Sequence, residues 1–102
     1  MTLKAIKAMF IVGERWHVIR TDPKGLTIHP NVGPDVVIPP SVADENRTIL
    51  KVGSNYVVWK RNNNPDPLYM NWPKASQIIE AHEGFLNFTY DTEINIVATK
   101  LA

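Results

Sequence analysis

Arg47-Thr48-Ile49-Leu50-Lys51-Val52-Gly53-Ser54-Asn55-Tyr56-Val57-Val58-Trp59-Lys60-Arg61 reads as a β-hairpin. Two short runs, Arg47 to Val52 and Tyr56 to Arg61, flank Gly53-Ser54-Asn55, where glycine permits the positive φ that tight hairpin turns require. Alternation along the second run sends Trp59 and Arg61 to one face and Val58 and Lys60 to the other. The rest of the chain repeats this plan of short alternating runs broken by turn residues, which predicts antiparallel β structure.

Upstream, Ala5 to Val12 and Arg15 to Thr21 flank Gly13-Glu14 and read as a further hairpin, with Phe10, Val12, Trp16 and Val18 on one face. Asp22-Pro23-Lys24-Gly25 is a turn, followed by a strand around Leu26 to His29. Residues 30 to 46 contain Pro30, Pro34, Pro39, Pro40 and Gly33, and hold at most a short edge strand, Val36 to Ile38. Downstream, a loop from Asn62 to Pro67 precedes a short strand, Leu68 to Trp72. Pro73 suits the first turn of a helix, and Ala75, Ile78, Ile79 and His82 then recur at three- and four-residue spacing with Gly84 as stop. Phe85 to Tyr90 and Ile94 to Leu101 close the chain as a hairpin across Asp91-Thr92. The expected fold is mainly β (α+β): a small, strongly bent antiparallel barrel or sandwich of about seven short strands, with one helix in the C-terminal half capping an open end.

A chain of 102 residues supports one core and so a single domain. Its 44% hydrophobic and 21% charged composition is that of a soluble globular protein. The apolar run Ala8 to Val12 is too short for a signal-peptide core or a membrane span, so the expected location is the cytoplasm, with no membrane partner. The absence of cysteine excludes disulfides, zinc-thiolate sites and thiol catalysis. A net charge of +1 hides a blocked distribution. Residues 1 to 24 carry five Lys or Arg against two acids, residues 47 to 74 carry five against Asp66 alone, and residues 75 to 99 carry four acids and no cation. If the fold brings the basic blocks together, one face suits anion binding or head-to-tail association.

Catalytic patterns are sparse. His17, His29 and His82 are scattered and show no metal-ligand spacing. Glu80 and Glu83 lie one helical turn apart, which is more often a solvated helix face than an acid and base pair. Ser41, Ser54 and Ser76 lack a nucleophile-elbow context, and the glycines form neither a phosphate loop nor a dinucleotide fingerprint. The expectation is a protein without catalytic residues, metal or cofactor, and not an enzyme.

Binding chemistry is better served. Tyr56 to Lys74 holds four of the nine aromatic residues, Tyr56, Trp59, Tyr69 and Trp72, beside Lys60, Arg61, Lys74 and a set of asparagines. Stacking on a base contributes about 1–3 kcal/mol, cations pair with phosphate, and asparagine offers both donor and acceptor to ribose and base edges. Trp59, Arg61, Tyr69 and Trp72 are therefore candidate ligand contacts, and Arg20, Arg47 and Lys100, near strand ends, can complete an anion site. Tryptophan in so small a protein is usually core, however, and Tyr69 and Trp72 point to opposite faces of their strand. Three readings follow: a binder of a small phosphorylated or cyclic nucleotide, a protein-interaction module or inhibitor with segment 30 to 40 as docking arm, and a single-strand nucleic-acid binder. The low net charge and the acidic block place the last third, and double-stranded nucleic acid is not an expected partner. Unpaired edge strands favour a homo-oligomer.

The runs Gly13-Glu14-Arg15-Trp16-His17-Val18-Ile19-Arg20 and Leu68-Tyr69-Met70-Asn71-Trp72-Pro73-Lys74-Ala75, with the size, the β-rich plan and the lack of cysteine, resemble small phage-encoded anti-defence proteins. The resemblance is greatest to the Thoeris anti-defence sponges, which sequester cyclic ADP-ribose-type signalling nucleotides without destroying them. It implies a host-cytoplasmic nucleotide sponge, with Arg20, Arg47, Trp72 and Lys100 as ligand contacts.

Overall fold

The one α-helix of this protein lies at its N-terminus. In the computed structural model, which describes residues 1–102, α1 spans Leu3–Met9, in a segment whose residues 5 to 12 the sequence pattern reads as a strand. Thr2 caps it, its hydroxyl accepting from the Ala5 N–H at 3.1 Å. Ile6, Met9 and Phe10 recur at three and four residues and are all buried, so the spacing that counts here is helical.

The helix expected between Ala75 and His82 is absent. Ala75–Gln77 forms one 3-10 turn and Ile78–His82 is a strand. The three-residue spacing that suggested a helix is produced by a register irregularity between Ile78 and Glu80. This bulge lets both Ile78 and Ala81 pack on the core, while Ile79 stays 64% exposed. Adjacent β-branched residues favour the strand. Gly84, at φ 75°, belongs to the turn that leads from this strand into the next.

Nine strands follow the helix: β1 (Arg15–Asp22), β2 (Leu26–Ile28), β3 (Val36–Ile38), β4 (Ser41–Val52), β5 (Tyr56–Arg61), β6 (Asn64–Asn71), β7 (Ile78–His82), β8 (Phe85–Thr89) and β9 (Asn95–Lys100). Seven form one antiparallel sheet in the order β6-β5-β4-β1-β9-β8-β7, and β2 with β3 forms a separate two-stranded ribbon. The edges β6 and β7 do not pair, so the sheet is not a closed barrel but bends in sandwich-like fashion over its core. β4 is twice as long as the hairpin motif suggested. Its first half, residues 41 to 46, completes a continuous ladder with β1 from Asp22↔Ser41 to Arg15↔Thr48. Asn64 to Pro67, expected in a loop, begins β6, where Pro65 and Pro67 are tolerated on the edge of the sheet.

Alternation collects the core on one face. Trp16 and Val18 of β1, Ile49 of β4, Val57 and Trp59 of β5, Met70 of β6, Leu86 and Phe88 of β8, and Ile96 and Ala98 of β9 form one buried cluster with Ile6, Met9 and Phe10. Phe10 is its centre. Its ring stacks on Trp16 at 4.2 Å and meets Trp72 and Trp59 edge-on at 5.2 and 6.0 Å. Trp72 is anchored by its indole N–H, which donates to the Gly53 carbonyl at 2.9 Å. The helix is tied to the same hairpin by Lys7 Nζ, which donates to the Ser54 carbonyl at 2.8 Å. No helix is long and apolar enough to cross a membrane.

Because Phe10 holds both the helix and three indoles, Phe10→Ala is expected to cost about 3–5 kcal/mol, read from urea unfolding. Phe10→Leu, which keeps most of the volume, should cost clearly less, and a loss equal to that of Phe10→Ala would mean that the ring contacts carry the whole effect.

Candidate functional site: an arginine cleft at the open end of the sheet

The side-chain alternation that builds the core continues past it. In phase with Trp16 and Val18 comes Arg20, before Ile49 come Glu45 and Arg47, after Trp59 comes Arg61, and after Leu86 and Phe88 comes Tyr90. Helix α1 lies against the start of β1 and the β4–β5 turn, so it fills only one end of the inner face. At the other end an open cleft of about 510 Å³ remains, lined by Arg20, Arg47, Leu68, Tyr90, Ile94 and Ile96 among others.

Arg47 is the one buried charged residue, 2% exposed. Its Nε donates to Glu45 Oε1 at 2.7 Å, and its terminal nitrogens have no protein partner. Burial lowers the pKa of its guanidinium, the Glu45 hydrogen bond and charge oppose that shift, and Arg61 and Arg20 lower it further. Arg20 of the first basic block thus meets Arg47 and Arg61 of the second, and Glu45 pairs with Arg47. Arg20 has no carboxylate partner. Arg61 reaches only the Asp66 carbonyl at 3.4 Å, and its Nε is buried without a partner. A further carboxylate, Asp91, stands at the rim and accepts from Gln77 Nε2 at 3.1 Å.

Tyr90 forms the aromatic wall. Its hydroxyl donates to the Asn71 carbonyl at 2.6 Å, joining the end of β8 to the edge strand β6 across the cleft, and its ring meets Phe88 edge-on at 4.9 Å. Burial pushes its pKa up to about 12, against the pull of the Arg20 charge. The neutral phenol is favoured in the folded state, so its stabilising contribution is complete below the ordinary tyrosine value and is lost as pH rises through about 12.

The candidate residues separate accordingly. Arg20 and Arg47 line the cleft and Arg61 adjoins Arg47. Tyr69 borders the cleft from β6, but by alternation its ring belongs to the outer face, where it is 63% exposed and lies 5.5 Å from Tyr56. Trp59 and Trp72 are corrected as ligand contacts: both rings are in the core around Phe10 and offer no face to a ligand. Lys100 lies apart from the cleft. It sits at the opposite end of β9, 2.6 Å from the Glu14 carboxylate, whose hydrogen bond and charge raise its pKa. Of the asparagines near Trp59 only Asn71 reaches the cleft.

Glu45, bonded to Arg47, and Tyr90, on the cleft wall, are the groups that sequence reasoning missed. Each had a signal, since Glu45 precedes Arg47 by two residues and Tyr90 is in phase with Leu86 and Phe88. No protein-family model, curated protein or solved structure matches this chain.

Glu45→Gln is expected to destabilise the fold by about 1.5–3 kcal/mol in urea unfolding, the worth of a hydrogen bond to a charged group. The loss stays below the ~3–5 kcal/mol of a fully buried pair, because Glu45 is 26% exposed. In a tyrosinate absorbance titration, Tyr90→Phe should remove the step near pH 12 and leave the others.

Proposed function

We propose that this protein is a non-catalytic binder that sequesters a small anionic ligand of nucleotide type in the arginine cleft. The observation that carries the reading is Arg47, a buried guanidinium whose terminal nitrogens lack protein partners and which faces a cleft shared with Arg20. A phosphate satisfies that geometry better than water does, since guanidinium and phosphate pair through two parallel hydrogen bonds in a partly desolvated site. A volume of about 510 Å³ is within the range of small-molecule sites. Tyr90, Leu68 and Ile94 supply apolar and aromatic wall for a planar ring, and Asn71 and Gln77 supply polar groups at the rim.

The resemblance to anti-defence sponges supports the choice of a signalling nucleotide, and with it the assignment of the protein to a phage acting in the host cytoplasm. Self-association belongs to the same reading, because so much exposed aliphatic surface on a chain of this size asks for a covering partner.

Calorimetry against a panel of cyclic and linear nucleotides, followed by heating of the complex and analysis of the released ligand, tests this function. Saturable binding with intact ligand recovered is the expected result, a chemically altered ligand makes the protein an enzyme, and no binding across the panel overturns the reading. Arg20→Ala should weaken binding roughly ten- to a hundredfold, the equivalent of one charge-assisted hydrogen bond, with little change in unfolding. Lys100→Ala should leave affinity unchanged, because that side chain is at the other end of the sheet.

A further inference from the structure

The β2–β3 ribbon exposes a face that an isolated chain has no reason to leave bare. Its register pairs Leu26 with Ile38 and Ile28 with Val36, so these four aliphatic side chains share one face, and Thr27 with Val37 share the other. All six residues are exposed, with Leu26, Ile28, Val36 and Ile38 between 44% and 57%. Val32 near the tip and Val42 just past the base are also exposed, at 90% and 67%.

The ribbon packs extensively on no element but itself. It projects, as the size of the molecule records: the radius of gyration is 15.0 Å, against about 13 Å for a compact chain of this length. Two strands alone are marginal in water, so such an arm persists when its apolar face is covered.

The arm is nevertheless held firmly at its base. The Asp22 carboxylate accepts from the Gly25 N–H at 2.9 Å, and Lys24 pairs with Glu93 of the β8–β9 turn at 3.0 Å. Gly25, at φ 68°, passes so close to β3 that a Cβ there would fall 2.1 Å from the Ile38 carbonyl oxygen. No other residue fits this crossing.

We propose that the arm is a self-association device, in which the Leu26, Ile28, Val36 and Ile38 face of one copy packs against the same face of a second copy about a two-fold axis. The proposal rests on the self-association inferred above and not on the identity of the ligand. Charge selects the occupant. The face itself carries no ionic side chain, Lys24 at the base is paired with Glu93 at 3.0 Å, and the remaining charged groups of the arm, the carboxylates of Asp22 and Asp35, would repel an anionic lipid headgroup, so the face calls for an uncharged polypeptide surface. An uncharged aliphatic face is complemented by a copy of itself, which is the isologous solution for identical chains.

The area agrees. The four half-exposed aliphatic side chains of this face amount to roughly a few hundred Å², the size at which an apolar patch marks an interaction site and a substantial part of the ~800 Å² per partner in a standard interface. Asp22, where the arm begins, is two residues beyond Arg20, and Ser41, where it ends, is paired to Asp22. Packing of the two arms therefore joins the copies at the cleft end of each sheet.

Light scattering over a concentration range tests the proposal, with vesicle flotation as a parallel arm. The expected mass is twice the 11.5 kDa chain mass, falling to one chain in the double variant Ile28→Lys with Val36→Lys without loss of the thermal transition. The chain has no cysteine, so single cysteines report the face directly: with a short bismaleimide, Val36→Cys should crosslink efficiently and Thr27→Cys, on the opposite face, should not. A wild-type monomer at all concentrations overturns both the arm interface and self-association. An oligomer unmoved by the lysine variant, or equal crosslinking from both cysteines, overturns the arm interface alone. A monomer that floats with vesicles assigns the face to lipid and overturns the proposal. Nucleotide calorimetry on the lysine variant reads ligand binding separately from all of these outcomes.

Discussion

The structure depends on the ring of Phe10 being where it is. A seven-stranded antiparallel sheet bent over one face needs something to fill the concavity, and α1 delivers Phe10 into contact with all three tryptophans. Those indoles come from β1, β5 and the segment after β6, so a single side chain ties the middle of the sheet to one edge. Because the helix has only seven residues, it covers one end of the inner face and leaves the other open. The cleft is what the helix is too short to fill.

That division sets the electrostatics of the open end. Inner-face positions beyond the hydrophobic cluster are occupied by Arg20, Arg47 and Arg61, on strands whose ladders place Arg61 opposite Arg47. Burying like charges side by side is costly unless something offsets it. Glu45 offsets part of the charge from the same strand, and Tyr90 closes the far wall with a phenol that stays neutral over the whole physiological range. The remainder is a cationic, partly desolvated pocket with apolar flanks. The arm projects from the same end, so the cleft and the exposed aliphatic face are neighbours.

Several local patterns were read correctly from the sequence. The hairpin Arg47 to Arg61, the strand pair Phe85 to Lys100 and the short strand Val36 to Ile38 are fixed by turn chemistry and alternation within a few residues. The N-terminal helix was legible as well, since Thr2 is a capping residue and Ile6, Met9 and Phe10 keep helical spacing, yet Ala5 to Val12 also satisfies a strand pattern. The reverse error at Ile78 to His82 came from a bulge, which imitates helical spacing because one extra residue turns a period of two into a separation of three. Length of β4 was hidden by the prolines at 39 and 40, which end the arm and do not interrupt the strand.

The sequence by itself determined the β class, the hairpins Arg47 to Arg61 and Phe85 to Lys100, the alternation of side chains along them and the two basic blocks. Only the tertiary structure decided that the rings of the region from Tyr56 to Lys74, Trp59 and Trp72, are core and that Arg20 and Arg47 line the open cleft. Alternation tells which side chains share a face, but not which end of that face a helix covers or which strands from distant parts of the chain become neighbours. Burial and charge proximity are properties of the assembled sheet, so Arg20, Arg47 and Tyr90 acquire their chemistry only when β1, β4 and β8 are brought together.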